Sequence, residues 1–205
     1  MAISEKDFEW QQCPVAGTDL AKRMLGSTWR SDAPVPLQEL CLLKVSHVGF
    51  QGSVLQGEII VHQTIVPLAL GVFESLYKAR FPIEKIRLLH HYDGDDEASM
   101  SDNNSSAFNA RPLTGQSSGW SKHSYGIAID INPVQNPYVM RDGCLPPEGE
   151  VFIDREVEHP GLIRPGNVCH KAFMDRGFEW GGDWTHVRDY HHFELPLSTI
   201  GYAKS

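Results

Sequence analysis

Apolar positions recur along this chain with two different periods, and the change of period marks out its elements. Residues 39–48 and 53–62 are β-rich runs joined by Gly49, Phe50, Gln51 and Gly52, a pattern that predicts a hairpin. From residue 65 to residue 81 the spacing becomes helical: Ala69, Val72, Phe73, Leu76 and Tyr77 form one apolar stripe. Pro67 suits the first turn of that helix and Pro82 stops it. Residues 83–92 predict a further strand. Asn167 is placed to cap a helix over residues 168–176 that ends at Gly177. A short strand begins at Phe178, and Gly181 and Gly182 then turn the chain.

Two more runs read as strands. In residues 126–131, alternation puts Gly126, Ala128 and Asp130 on one face and Ile127, Ile129 and Ile131 on the other, before Asn132 and Pro133 end the run. In residues 190–195, His192 and Glu194 share a face, while His191, Phe193 and Leu195 are expected to point away from it.

The remaining segments are irregular. Residues 1–37 are broken by prolines and glycines. They predict a loosely structured arm packed on the domain, with one short helix around residues 19–25. Residues 93–110 predict a polar loop. Its cluster of Asp93, Asp95, Asp96 and Glu97 lacks the twelve-residue calcium-loop pattern and reads as a solvated acidic loop. Residues 136–165, rich in proline, predict a long ordered loop lining a cleft. Strands and helices do not alternate regularly, which argues for an α+β fold: one small antiparallel sheet with helices packed on one side. The expected organisation is an N-terminal arm, 1–37, on a single domain, 38–205.

Composition narrows the possible partners. A 205-residue chain that is 41% hydrophobic and 21% charged is an ordinary globular protein, expected to be a monomer. Its formal net charge of −8 argues against nucleic acid and gives no support for an anionic membrane surface. No apolar run is long enough for a transmembrane helix. The first ten residues do not read as a signal peptide, leaving the localisation unknown. Cys13, Cys41, Cys144 and Cys169 include no Cys-x-x-Cys pair. They are either free or joined in two disulfides.

The chemistry gathers in two places. His123, Asp130 and His192 offer three metal ligands, and Asp189 adds a carboxylate three residues before the last of them. Three protein ligands with a fourth position left for water make a catalytic zinc site, and the extra carboxylate suits a proton acceptor. Taken alone, a His–x6–Asp spacing or an adjacent His pair fits ordinary packing as well. The ordering of the motifs is more specific. Ser106 to Arg111, then Ser121, His123, Gly126, Ala128, Asp130 and Asn132-Pro133, then Asp189, His192, Phe193 and Glu194 resemble the D-alanyl-D-alanine carboxypeptidase family of zinc peptidases.

That family includes cell-wall carboxypeptidases, vancomycin-resistance dipeptidases and phage endolysins. The resemblance implies Zn2+ held by His123, Asp130 and His192, with Asp189 as general base. It implies Arg111 as the residue that holds the substrate and polarises its carbonyl, with Asn109 and Ser121 beside the substrate. It also implies a hedgehog/D-Ala-D-Ala-peptidase-like fold and hydrolysis of peptidoglycan peptides, either as a carboxypeptidase or as an endopeptidase, at the cell wall. His191 departs from the family pattern and has no assigned role. His186 is close enough in sequence to the site to serve there. The rival readings are a non-catalytic zinc-containing module of the same fold and a zinc amidohydrolase acting on another small substrate.

Overall fold

The structure is a computed structural model that describes residues 8–113 and 119–202. The first seven residues of the expected N-terminal arm lie outside the described residues. From Trp10 that segment forms β1 (Trp10–Pro14), which pairs antiparallel with β2 (Leu40–Val48). Between them lies α1 (Asp19–Met24), capped by the Thr18 side chain on the Ala21 amide. β2 continues through the predicted turn into β3 (Val54–His62), giving a sheet of order β1-β2-β3.

α2 (Val66–Lys78) buries the predicted stripe of Ala69, Val72, Phe73, Leu76 and Tyr77. It packs with Leu43, Val45, Ile59 and Val61 of the hairpin in one apolar core. Full burial of a Val, Leu, Ile or Phe side chain is worth about 1.5–3 kcal/mol. That outweighs the ~1 kcal/mol cost of placing Gly71 inside a helix. The glycine leaves room for Arg176, whose Nε would stand 2.6 Å from a Cβ there. α4 (Val168–Met174) lies against α2, with Asn167 capping it on the His170 amide as its position predicts.

The antiparallel pairing is divided among three small sheets instead of one. β6 (Ala128–Asp130), β11 (His192–Glu194) and β9 (Glu179–Trp180) form the second, in the order β6-β11-β9. β7 (Tyr138–Met140), β8 (Gly143–Leu145) and β10 (Arg188–Asp189) form the third, in the order β10-β7-β8. The predicted 136–165 loop therefore supplies a hairpin. Asn136 ties that region down by accepting bonds from the Ile163 amide at 2.7 Å and the Arg155 guanidinium at 2.8 Å. The class is α+β.

Two further expectations change. Residues 83–92 form only β4 (Lys85–Ile86), followed by a 3-10 turn at Leu89–Tyr92. The Asn104 side chain accepts from the Arg87 amide and donates to the Arg87 carbonyl, taking bonds that an adjoining strand would otherwise make. The acidic stretch is a helix, α3 (Asp96–Ser101), capped by Asp95, and it leads into β5 (Asn104–Ser105), parallel to β4. All four cysteines are free. Among the described residues, no helix is long and apolar enough to cross a membrane.

Candidate metal centre and cleft

Three backbone facts bring the proposed ligands together. Ser121 caps a 3-10 turn, Lys122–Tyr125, through its oxygen on the His123 amide, and this turn carries His123. Gly126 closes the turn at φ +68°, and a Cβ there would stand 2.6 Å from the His62 amide nitrogen. β6 starts two residues later, and its Ile129 with the flanking Ile127 and Ile131 is buried in the core. The antiparallel register then sets His192 of β11 directly opposite Asp130 of β6.

The result is a buried cluster of His123, Asp130 and His192 whose ligand atoms lie within 4.8 Å of one another, and it could hold a metal ion. His192 Nδ1 is 3.0 Å from Asp130 Oδ1 and 3.2 Å from His123 Nε2. His123 Nε2 is 3.2 Å from Asp130 Oδ2. Zinc–ligand distances of about 2.0–2.1 Å in a tetrahedron put neighbouring donors roughly 3.3 Å apart, so these separations fit.

The outward ring nitrogens support the same conclusion. His123 Nδ1 faces the Ala107 carbonyl, which can only accept, so this nitrogen carries the hydrogen and Nε2 offers its lone pair. His192 Nε2 donates to Glu194 Oε2 at 3.0 Å, which turns Nδ1 toward the centre. Lys122 Nζ lies 3.5 Å from the other Glu194 oxygen.

Electrostatics follow from burial and pairing. Burial alone would raise the Asp130 pKa, but His123, His191 and His192 hold it well below the usual carboxylate range. Burial would lower His192, yet Asp130 and Glu194 lift it to about 10. Burial likewise opposes His191, which Asp189 and Asp130 lift to about 9. Glu194 is lowered: burial works against this, and His192 and Lys122 overcome it.

A pH prediction comes from these directions. A histidine raised above its unfolded value near 6.5 stabilises the metal-free fold fully below that pH, and the contribution fades as pH rises through 9 to 10. Zinc needs the His192 lone pair and must displace its proton, so binding strengthens as pH rises. The increase in Tm on adding zinc should therefore be larger at pH 8.5 than at pH 6.5. An equal or smaller increase at pH 8.5, measured by thermal unfolding with and without zinc, would count against this linkage.

The cluster opens into a cleft of about 390 Å³ lined by Asp96, Arg111, Ser121, Lys122, Tyr138 and Trp184, together with His123, Asp189, His191, His192 and Glu194. A larger open groove of about 970 Å³, past Trp10, Lys44 and Arg87, contains none of the three ligands. Arg111 reaches the cleft with its Nε 2.7 Å from Asp96 Oδ2. The acidic stretch expected to be solvated thus supplies a partner for Arg111. Asn109 is buried outside the cleft lining and donates to the Gly94 carbonyl at 3.1 Å. His186 is exposed and does not line the cleft.

His191 does not point away as alternation suggests. It lines the cleft, with Nε2 3.0 Å from Asp189 Oδ1 and Nδ1 2.8 Å from the Asn136 carbonyl oxygen. It lies just outside β11, where the chain crosses from β10 in one sheet to β11 in another, so strand alternation does not govern it. Asp96, Lys122, Glu194 and Trp184 also line the cleft, and sequence patterning assigns none of them a role. Only Glu194 carries a sequence signal, through the face it shares with His192.

No solved structure matches the chain. Residues 114–195 match a family model described as D-alanyl-D-alanine carboxypeptidase. Arg111 and Asn109 stand just before that segment, whereas His123, Asp130, Asp189 and His192 all fall within it. The segment that carries His123, Asp130, Asp189 and His192 is thus similar to the D-alanyl-D-alanine carboxypeptidase family.

Proposed function

We propose that the chain is a zinc peptidase that hydrolyses a peptide bond of bacterial peptidoglycan. The observation that carries this reading is the cluster of His123, Asp130 and His192 with Asp189 facing the same cleft. His123 Nε2, an Asp130 carboxylate oxygen and His192 Nδ1 would hold the zinc. When bound, it supplies a Lewis acid that polarises a carbonyl and makes a water acidic enough to lose a proton near pH 7.

The protein's own groups do the rest. Asp189 takes that proton on its carboxylate and delivers it to the leaving amine, which would otherwise depart as a poor anion. Glu194 keeps the His192 ring in the required tautomer through Nε2. Arg111, steadied by Asp96, offers a planar fork of donors to a substrate carboxylate or to the charge that develops on the carbonyl oxygen. Asp189 favours an enzyme over a purely binding module, because holding a metal needs no proton acceptor beside it. A peptidoglycan substrate would put the site of action at the cell wall.

Arg111→Lys keeps the charge and loses the fork, so kcat/KM should fall by about tenfold or more. Unchanged kinetics would move this role to another cation. The reading as a whole is tested by incubating the zinc-loaded protein with purified peptidoglycan and identifying fragments by mass spectrometry. New amino termini within the stem peptide support it. Intact peptide would leave the binding module or another substrate.

A further inference from the structure

We infer that His191 is a positioning residue for Asp189, an inference that rests on Asp189 being the proton acceptor. The ring is buried and each of its nitrogens has a single close partner. Nδ1 donates to the Asn136 carbonyl oxygen at 2.8 Å, and Nε2 stands 3.0 Å from Asp189 Oδ1. The anchor is firm. Asn136 is fully buried, accepts from Ile163 and Arg155, and donates to the Ile131, Asn132 and Gly161 carbonyls. The His191 carbonyl also accepts from the Ile131 amide at 3.1 Å, tying the residue to the chain just beyond β6 and Asp130.

Asp189 is held from its other side. Its backbone pairs with Tyr138, and Gly181 passes so close that a Cβ there would stand 2.8 Å from the Asp189 Cβ. The His191 ring lies between the anchored loop and this carboxylate, and the ion pair of its Nε2 with Oδ1 draws that oxygen toward the ring. It is not a fourth ligand: Nε2 is 3.9 Å from Asp130 Oδ2, and the metal-competent cluster does not include it. A proton acceptor must be aimed as well as present, because a displacement of about 1 Å can cost on the order of a hundredfold in rate.

Two amide replacements separate the contact with Asp189 from the anchor on Asn136. In His191→Gln the terminal NH2 reaches about where Nε2 stands and can donate to Asp189. In His191→Asn it reaches about where Nδ1 stands and keeps only the bond to Asn136. The zinc-loaded variants are assayed on a synthetic stem pentapeptide of peptidoglycan. The expected result for His191→Asn is about one zinc per chain. Its kcat should fall about ten- to hundredfold with KM within about twofold, and His191→Gln should recover most of the rate. A role confined to the bond with Asn136 predicts the reverse order, and that order would overturn the proposal. So would loss of zinc in both variants, or wild-type kcat in His191→Asn.

The Asp189→Asn background completes the test. If His191 acts through Asp189, adding His191→Asn there should cost less than about twofold more, and fully additive losses would contradict it. A fully active Asp189→Asn single variant would instead remove the base assignment itself, an outcome distinct from any His191 result.

Discussion

Replacing either proposed histidine ligand should empty the site. The wild-type protein is expected to carry about one zinc per chain, and His123→Ala or His192→Ala should lose it on dialysis against a weak chelator. The reason is geometric. Both rings have their outward nitrogens committed, His123 to the Ala107 carbonyl and His192 to Glu194, so each offers one lone pair to one point. No neighbour can replace either, because His191 is already engaged by Asn136 and Asp189. Glu194→Gln should be milder, weakening zinc about ten- to hundredfold without abolishing it, as removal of a partner behind a ligand does. His191→Ala should keep the metal. Elemental analysis decides the matter: full zinc in both ligand variants would contradict the assignment.

Asp189→Asn should do the opposite, keeping the metal and losing the chemistry. The residue is held by its β10–β7 pairing and by the close passage of Gly181, and asparagine preserves both. What it removes is the proposed proton acceptor, and loss of a general base typically costs about a hundredfold to ten-thousandfold in rate. A zinc-loaded Asp189→Asn protein with near-normal peptidase activity would exclude the base role. Zinc loss in the same variant would make Asp189 a ligand instead.

Much of this site is legible in the amino-acid sequence, for physical reasons. The period-two alternation of residues 126–131 puts Asp130 opposite three isoleucines, and those three are fully buried. His192 and Glu194 share a face, and they are hydrogen-bonded to each other. The stripe on α2 is legible because burial of five large or small apolar groups on one face outweighs the helix's own weak propensities.

What sequence patterning misses depends on where chain segments meet. The pairing of Asp96 with Arg111 joins a helix to a loop fifteen residues away, and no periodicity encodes that distance. Alternation misplaces His191 because it does not extend one residue past the start of β11, into the crossing between two sheets. Residues 83–92 look strand-like on composition alone. The side chain of Asn104 takes two of the backbone bonds that decide whether a strand forms.

Zinc-dependent hydrolysis of a cell-wall peptide, as proposed, can be followed on a defined substrate. A synthetic stem pentapeptide of peptidoglycan is incubated with the zinc-loaded protein, with the same protein after chelation, and with the chelated protein given zinc again, and the products are read by mass spectrometry. Cleavage at a single peptide bond is expected from the first sample, none from the second, and recovery in the third. An intact pentapeptide in the presence of protein carrying its full zinc would contradict the proposal.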